Sequence, residues 1–481
     1  MVFSSPVFVF LFLPAVLGLY TLSFRFKAEN IVLVAASLFF YAWGEPIWVV
    51  LLIFSALVDW CVSGLLGVCE APKRRRALLA VSVCVNLGLL AFFKYSGFFI
   101  ENLNALLPVS LPRPSFNLPI GISFYTFQTM SYTIDVYRQR VKPERGFLNF
   151  LMYVSLFPQL VAGPIVRYSD IENQVRRRRI TPEGFSNGIL RFVTGLSKKM
   201  LIANYAGQLC GDLIGGPLAG VSVAGLWFGL FMFMIQIYFD FSGYSDMAIG
   251  LGSMFGFTFQ ENFFYPYLSA SITEFWRRWH ISLSSFFKDY LYIPLGGNRS
   301  HPLRNMMVVW LLTGLWHGAS WNFVLWGLYY GVILILEKKV SKGFMGRGGF
   351  NVSRLFNIPL RVLKHLYTLT VALAGWGLFY FVGLGRLGQA LTIMFGISGH
   401  ELTSAVDRAV IANNRFFILL AVLACLPWGA WMRGLSKHLG KSVRGSGVLA
   451  AARLCYCAVM LLCCTVWMAG SSFNPFIYFR F

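Results

Sequence analysis

Two histidines of the chain lie in stretches where an imidazole could do chemistry. His317 stands between Trp316 and Trp321, inside an apolar run that extends from Met306 to Leu336. A run of this length could form one helix across a bilayer, which takes about 20 residues, or two shorter helices that meet at Gly318. A titratable side chain at membrane depth is costly, so it indicates function unless a neighbouring carbonyl satisfies it within the core. Position alone leaves both interpretations open.

His280 is the second such histidine, and it lies in a segment of mixed aromatic and basic residues. At helical spacing Phe275, Trp279 and Leu283 share one face, which is typical of an amphipathic helix. We expect this helix to lie in the cytoplasmic interface and to dip inward. Prolines and glycines in the connection between 294 and 302 could fold His280 back towards His317.

Both histidines have the surroundings that acyl transfer to an alcohol requires. An imidazole desolvated among tryptophans should stay neutral. A neutral imidazole can accept the proton of a hydroxyl, and His317 is the candidate for this role of general base. His280 has Arg277 and Arg278 beside it, so it could hold the acyl donor or help to polarise its carbonyl.

Two carboxylates stand within an apolar run, at Asp240 and Asp246, with Tyr244 between them. Acids inside a membrane need partners, and Arg277 and Arg278 are candidates. A structural ion pair is the simpler interpretation, because acyl transfer does not require these acids directly. A role in binding substrate stays open beside it.

The composition predicts an all-α, polytopic integral membrane protein. Of the 481 residues, 57% are hydrophobic and only 12% are charged, against about 25% charged residues in soluble domains. The net charge of +22 comes from basic residues in short connections between apolar runs. This pattern is typical of cytoplasmic loops and does not indicate nucleic-acid binding. The nine cysteines form no metal-type pair, so we expect neither a metal site nor a disulfide framework.

The basic clusters also predict topology. Residues 1–22 are expected to form a retained first span. The clusters at 138–145 and 176–179 should both be cytoplasmic, yet only the apolar run 147–166 separates them. This run, which contains Pro158 and Pro164, is therefore expected to re-enter or to lie flat. We expect a single membrane-embedded domain over 1–481, with N-terminal helices to 115, a core at 116–340 and C-terminal helices at 341–481.

Several long motifs, in one order along the chain, carry a family resemblance. They are Leu118–Tyr125, Tyr238–Ala248, Ile272–Ser284, Asp289–Arg299 and Gly314–Gly318. Together they resemble the bacterial membrane-bound O-acyltransferases, the MBOAT family. The resemblance is close over 118–330 and weakest after Val340.

The resemblance implies a fold of about 11 to 13 transmembrane helices, each about 20 residues long, with re-entrant or interfacial helices around a central tunnel. His317 matches the catalytic histidine of the family, and His280 matches its second active-site position. No bound cofactor and no metal are expected. The residues predicted to bind substrate are Trp276, Arg277, Arg278, Trp279, Trp316, Asp240, Tyr244 and Asp246.

The implied function is that of an O-acyltransferase, most simply an O-acetyltransferase, in the cell inner membrane. It would take an acyl group from a cytoplasmic thioester, acetyl-CoA or another, and pass it to hydroxyls of an exported or cell-envelope polysaccharide of the alginate kind. Separate periplasmic or membrane-anchored partners would complete the transfer. The alternatives are the same chemistry on peptidoglycan or teichoic acid, and a non-enzymatic transporter or scaffold of an export complex.

Overall fold

The computed structural model describes residues 1–107, 110–114, 116–161, 163–345, 357–397, 399–439, 443–470 and 476–477. Within these ranges the chain forms helices and no strand. The all-α class predicted from composition is therefore confirmed.

The α-helices follow one another through short connections, and several continue directly into π-helical or 3-10 stretches. In chain order they are α1 Leu13–Ser23, α2 Glu29–Ala42, α3 Val49–Val68, α4 Pro72–Leu90, α5 Ser96–Leu106, α6 Ile122–Tyr137, α7 Phe147–Ser155, α8 Phe157–Leu160, α9 Tyr168–Arg176, α10 Pro182–Ser197, α11 Asn204–Cys210, α12 Val223–Met254, α13 Ile272–Arg278, α14 Ile281–Phe287, α15 Pro302–His317, α16 Trp321–Met345, α17 Asn357–Tyr380, α18 Leu384–Met394, α19 Ala405–Asn413, α20 Arg415–Ala424, α21 Trp428–Leu439 and α22 Val443–Gly470. The π-helical and 3-10 stretches are Phe8–Phe12, Phe24–Phe26, Ala91–Tyr95, Lys198–Ala203, Gly211–Gly215, Pro266–Leu268 and Lys288–Tyr292.

Six helical stretches in the described ranges are long and apolar enough to cross a membrane. They are Phe8–Phe26, Val49–Val68, Pro72–Leu106, Val223–Met254, Pro359–Tyr380 and Gly447–Gly470. The expected number of spans is larger because it also includes shorter helices, such as α6 and α15 with 16 residues each. The chain is a multi-pass membrane protein.

The run 147–166 agrees with the expectation that it does not cross. It forms α7, with 9 residues, and α8, with 4. At 1.5 Å per residue, α7 is about 14 Å long, less than half of a hydrocarbon core of about 30 Å. Pro158 lies in the first turn of α8, where a proline is tolerated.

By their contacts the residues form two compact units that alternate along the chain. The first contains 1–196, 243–261 and 465–481, and the second contains 197–242 and 262–464. Helix α12 supplies residues to both. The single membrane-embedded domain expected from the sequence stays a prediction.

A buried carboxylate joins three helices of the first unit. Asp59 of α3 is fully buried and accepts hydrogen bonds from three side chains. Its donors are the Ser82 hydroxyl and, at 2.7 Å, the Asn86 amide, both on α4, and the Thr133 hydroxyl of α6 at 2.8 Å. A satisfied polar cluster of this kind fixes how helices meet where hydrophobic packing alone is not specific.

In the second unit, α15 and α16 pack closely through glycines. A Cβ on Gly314 would lie 2.2 Å from the carbonyl oxygen of Phe323, and one on Gly327 would lie 2.4 Å from that of Trp310. Only glycine allows backbones to approach so closely. This contact fixes the last turn of α15, which carries His317.

Helix α13 is held by the same α16. The carboxylate of Glu337 accepts hydrogen bonds from the backbone N–H of Ile272 at 2.7 Å and of Thr273 at 2.8 Å. The Ser271 side chain accepts from the N–H of Glu274, as a helix cap does. Helix α16 therefore holds both helices next to the candidate histidines: α15, which carries His317, and α13, which ends just before His280.

Candidate active site

His317 is the last residue of α15. The next residue, Gly318, is extended, and a Cβ there would lie 2.1 Å from the Phe323 ring. The glycine therefore lets the chain turn into α16 directly against that ring. This is the local reason for a glycine after the histidine.

An aromatic wall surrounds the His317 imidazole, which is only 5% exposed. The ring centroids of Trp316, Trp326 and Phe379 lie at 4.9, 5.0 and 5.3 Å from it. These rings come from α15, α16 and α17, so three helices hold the histidine. Such a wall excludes water from a reacting centre.

His280 occupies the junction between α13 and α14. Its backbone is left-handed, with φ at 46°, a conformation that few residues other than glycine adopt and that clusters at functional sites. Its side chain is 1% exposed and lies edge-on to the Phe241 ring at 4.6 Å. Its Nδ1 atom lies 3.2 Å from the Oδ1 atom of Asn262.

The structure brings the two histidines to one indole. The centroid of Trp316 lies 4.9 Å from that of His317 and 5.9 Å from that of His280. The connection between α14 and α15 thus folds back as the sequence predicts. Trp316, one of the residues predicted to bind substrate, thus contacts both imidazoles.

Burial controls the protonation of His280. Desolvation lowers the pKa of its imidazole to about 3, from an ordinary value of 6.5. The ring is therefore neutral at physiological pH, as expected for an imidazole among aromatic side chains.

The two remaining predicted tryptophans extend the aromatic wall. Trp276 packs edge-on against Trp326 at 5.4 Å, and so reaches the ring beside His317. Trp279 stacks on Phe275 at 5.5 Å and contacts Trp376 at 4.9 Å. Both indoles are buried. Trp276 is thus part of the His317 surroundings, while Trp279 packs one layer further along α17.

The predicted pairing of the acids with Arg277 and Arg278 is wrong. Arg277 is exposed, and Arg278 pairs with Glu274 at 2.5 Å, one helical turn before it. Residues four apart on a helix lie on one face, which favours this local partner. Asp240 instead pairs with Lys199 at 2.5 Å, and both side chains are at least 95% buried. This geometry favours the structural interpretation of Asp240.

Tyr244 and Asp246 belong to the first unit. The Tyr244 ring stacks on Phe3 at 4.7 Å. Asp246 pairs with Arg191 at 2.6 Å, and Arg191 also binds Glu261. Here too the arginine partner is not one of those predicted. A role for Tyr244 and Asp246 in binding substrate stays a prediction.

Comparison with known proteins decides the family. A model of the family described as MBOAT, membrane-bound O-acyltransferase family, matches residues 120–347. A "Probable alginate O-acetylase AlgI" of Pseudomonas syringae pv. tomato is 39% identical over 460 residues, which cover 93% of this chain and 86% of that protein. The chain belongs to the membrane-bound O-acyltransferase family. It is an acyltransferase, as its motifs predicted.

Two further relatives of this MBOAT protein have other names. A peptidoglycan O-acetyltransferase of Helicobacter pylori is 34% identical over 86% of this chain and 84% of its own length. A teichoic acid D-alanyltransferase of Bacillus subtilis is 27% identical over 45% of this chain and 58% of its own length. All three relatives are named for transfer of an acyl group, and their acceptors differ.

In this MBOAT protein aromatic side chains enclose both imidazoles. His317 lies at the C-terminus of a 16-residue helix. The negative end of a helix dipole stabilises a positive imidazolium by about 0.3–1 kcal/mol, and by up to about 2 kcal/mol at partly buried sites. That placement suits a group that takes up a proton during a reaction.

Sequence reasoning missed four residues of this site, and each has a role that only the fold reveals. Trp326 and Phe379 contact His317 from α16 and α17, which lie further along the chain. Lys199 comes from a π-helical stretch before α11 and neutralises Asp240. Asn262 follows α12 in an irregular segment and meets His280. No periodicity marks any of them, since their partners are distant in sequence.

Proposed function

We propose that this protein transfers an acetyl group from a cytoplasmic thioester to hydroxyls of an exported or cell-envelope polysaccharide, of the alginate kind. The observation that carries the proposal is the pair of buried histidines, His280 and His317, on one indole within an aromatic wall. The alginate O-acetylase relative supports this acceptor class because the match covers nearly the whole of both chains.

In the proposed reaction His317 is the general base. The acceptor hydroxyl gives its proton to the imidazole as its oxygen attacks the thioester carbonyl carbon. The tetrahedral intermediate then breaks its C–S bond, and the thiolate takes the proton from the imidazolium. The new ester and the free thiol are the products, so protons and electrons balance. General-base assistance contributes about 10²–10⁴-fold to such a rate.

The aromatic wall serves the same chemistry. A thioester is also open to attack by water, which would waste the donor. Burial of His317 among Trp316, Trp326 and Phe379 keeps bulk water away from the base. Exclusion of water also strengthens each polar interaction inside the site.

The donor, the partners and the membrane complete the proposal. Acetyl-CoA, or another small acyl thioester, acts as a substrate, and no resident cofactor is involved. Separate periplasmic or membrane-anchored proteins finish the transfer to the polysaccharide. The membrane is the cell inner membrane, because the donor is cytoplasmic and the acceptor is exported.

A second acceptor has support of its own. The peptidoglycan O-acetyltransferase relative covers 86% of this chain at 34% identity. The same base and the same thioester would then serve a hydroxyl of a cell-wall sugar. The two proposals share every residue of the site described here and differ only in the acceptor.

The acceptor can be tested directly. Purified protein in proteoliposomes receives acetyl-CoA labelled with ¹⁴C in the acetyl group, together with the proposed periplasmic or membrane-anchored partner proteins. Alginate-type polysaccharide, peptidoglycan and teichoic acid are offered separately. We expect ester-linked, base-labile label in the alginate-type acceptor. Label in peptidoglycan alone would show that peptidoglycan, and not an alginate-type polysaccharide, is the acceptor. If no thioester is consumed with any of the three acceptors, the proposal that the protein is the enzyme of this reaction is contradicted.

A further inference from the structure

Asn262 is a buried asparagine whose carbonyl oxygen gathers three contacts. It is 0% exposed. Its Oδ1 atom lies 3.2 Å from the backbone nitrogen of Ser282, 2.9 Å from the Ser282 hydroxyl and 3.2 Å from Nδ1 of His280. The backbone N–H of Ile281 also donates to the main-chain carbonyl of Asn262 at 3.0 Å. Asn262 thus holds the first turn of α14 and the histidine that precedes it.

The backbone N–H of Ser282 decides which way the Asn262 amide faces. An amide oxygen and an amide nitrogen look alike in shape, so their assignment must come from the partners. A backbone N–H can only donate, and it would repel the NH₂ group of a reversed amide. The atom that faces Ser282 and His280 is therefore the oxygen.

This orientation fixes the tautomer of His280. The Asn262 oxygen can only accept, so the nitrogen that meets it must carry the hydrogen. A neutral imidazole has one N–H, and here it is on Nδ1. The other nitrogen, Nε2, then has a lone pair and no hydrogen. It is buried and has no hydrogen-bond partner among the described residues.

We propose that Asn262 is a positioning residue, which fixes His280 as a hydrogen-bond acceptor through Nε2 for an N–H or O–H group of the substrate. The group could be an amide N–H of the thioester arm or a sugar hydroxyl other than the attacking one. This rests on the proposed function of the same site. It narrows the role of His280, since a nitrogen without hydrogen cannot donate to an oxyanion.

The two histidines then have different roles in the reaction. His317 takes the proton of the attacking hydroxyl, and His280 stays neutral and orients a substrate. The low pKa of His280, caused by its burial, agrees with an acceptor that does not itself become protonated. A hydrogen bond of this kind is made equally in the ground state and in the transition state. Its loss therefore raises KM more than it lowers kcat.

The test is a nitrogen NMR spectrum of ¹⁵N-histidine-labelled protein, with the His280 signals assigned by their loss in His280→Gln. We expect a protonated Nδ1 and an unprotonated Nε2. This measurement needs no activity, so its failure is distinct from failure of the proposed function. A protonated Nε2 in the wild type would overturn the proposal, whatever any variant does.

Variants then separate positioning from general stability. Asn262→Leu removes the acceptor at similar volume. We expect a mixed tautomer and a rise in KM of about 2–10-fold, because only a fraction of the protein then has the tautomer that can accept from the substrate. Asn262→Asp keeps an acceptor and should keep the tautomer. Asn305→Ala is the matched control, because Asn305 is also fully buried, and its side chain binds the backbone carbonyls of Gly297 and Ser300 and the Arg304 guanidinium instead of a histidine.

The KM values of Asn262→Leu identify which of the two substrates forms the hydrogen bond with His280. A higher KM for the thioester assigns the bond to the donor arm. A higher KM for the polysaccharide assigns it to the acceptor. An unchanged tautomer together with unchanged KM values would overturn the proposal.

Discussion

The imidazoles of His280 and His317 contact the same indole, that of Trp316, at centroid distances of 5.9 and 4.9 Å. His317 ends a long helix, where positive charge is favoured, whereas His280 is fixed by Asn262. Two similar side chains therefore have different environments. That difference underlies the separate roles proposed for them.

The first prediction concerns pH and stability. Native His280 has a pKa of about 3, lowered by burial, whereas the ordinary value is 6.5. Below pH 6.5 the unfolded chain binds a proton that the native chain does not, so stability falls as the pH decreases towards 3. By pH 5 the loss amounts to about 2 kcal/mol. His280→Gln should lack this component. Thermal unfolding of both proteins at pH 7 and pH 5 checks it, and parallel losses would contradict it.

The second prediction concerns the buried pair of Lys199 and Asp240. Lys199→Met removes the cation that pairs with the buried Asp240 carboxylate, and breaking a buried pair in this way costs about 3–5 kcal/mol. The double variant Lys199→Met with Asp240→Leu should recover most of the stability and the acetyl transfer. Unfolding temperature and activity of folded protein are measured together. If stability returns and activity does not, Asp240 binds substrate and the structural interpretation fails.

The third prediction concerns the anchor of α13. Glu337→Gln weakens the hydrogen bonds to Ile272 and Thr273, and hydrogen bonds to a charged group contribute about 1.5–3 kcal/mol. We expect a lower unfolding temperature and a lower kcat/KM, because α13 positions Trp276 and His280. Lys339→Gln, an exposed change on the same helix, is the control. Equal behaviour of the two variants would show that the anchor is dispensable.

The fourth prediction concerns the glycine contact between α15 and α16. Gly314→Ala would place a Cβ 2.2 Å from the Phe323 carbonyl oxygen, so the backbones must separate. Overpacking of this kind costs about 1–3 kcal/mol, and the shift should reach His317 within one turn. Gly388→Ala is the control, since a Cβ there meets nothing within 4 Å. It should be neutral or stabilising in an unfolding assay, while Gly314→Ala loses both stability and activity.

The helical class, the membrane location and the histidine pair are predictable from the sequence. Apolar runs indicate the first two. The position of His317 alone leaves packing and function both open, and the family motifs that contain His280 and His317 favour function. The glycines and prolines between His280 and His317 allow the chain to fold back, and the structure confirms that it does. These signals are local, so they can be read along the chain.

Partners across the fold are not predictable in this way. Asp240 has Lys199 as its partner, although Arg277 and Arg278 match it equally well in charge. Asn262 lies in an irregular segment, where neither periodicity nor a motif marks its contact with His280. Which opposite charge or which polar side chain meets a given group depends on how distant helices pack, and one sequence does not contain that information.

The most direct test of the central claim is acetyl transfer by His317→Ala. The purified variant is reconstituted in proteoliposomes with labelled acetyl-CoA, the partner proteins and the polysaccharide. Its matched control is His301→Asn. His301 is exposed and has a left-handed backbone conformation, which asparagine also tolerates. We expect the control to act like the wild type, and His317→Ala to insert and fold while losing about 10²–10⁴-fold in rate. Transfer by His317→Ala at the wild-type rate would contradict the assignment of His317 as the base.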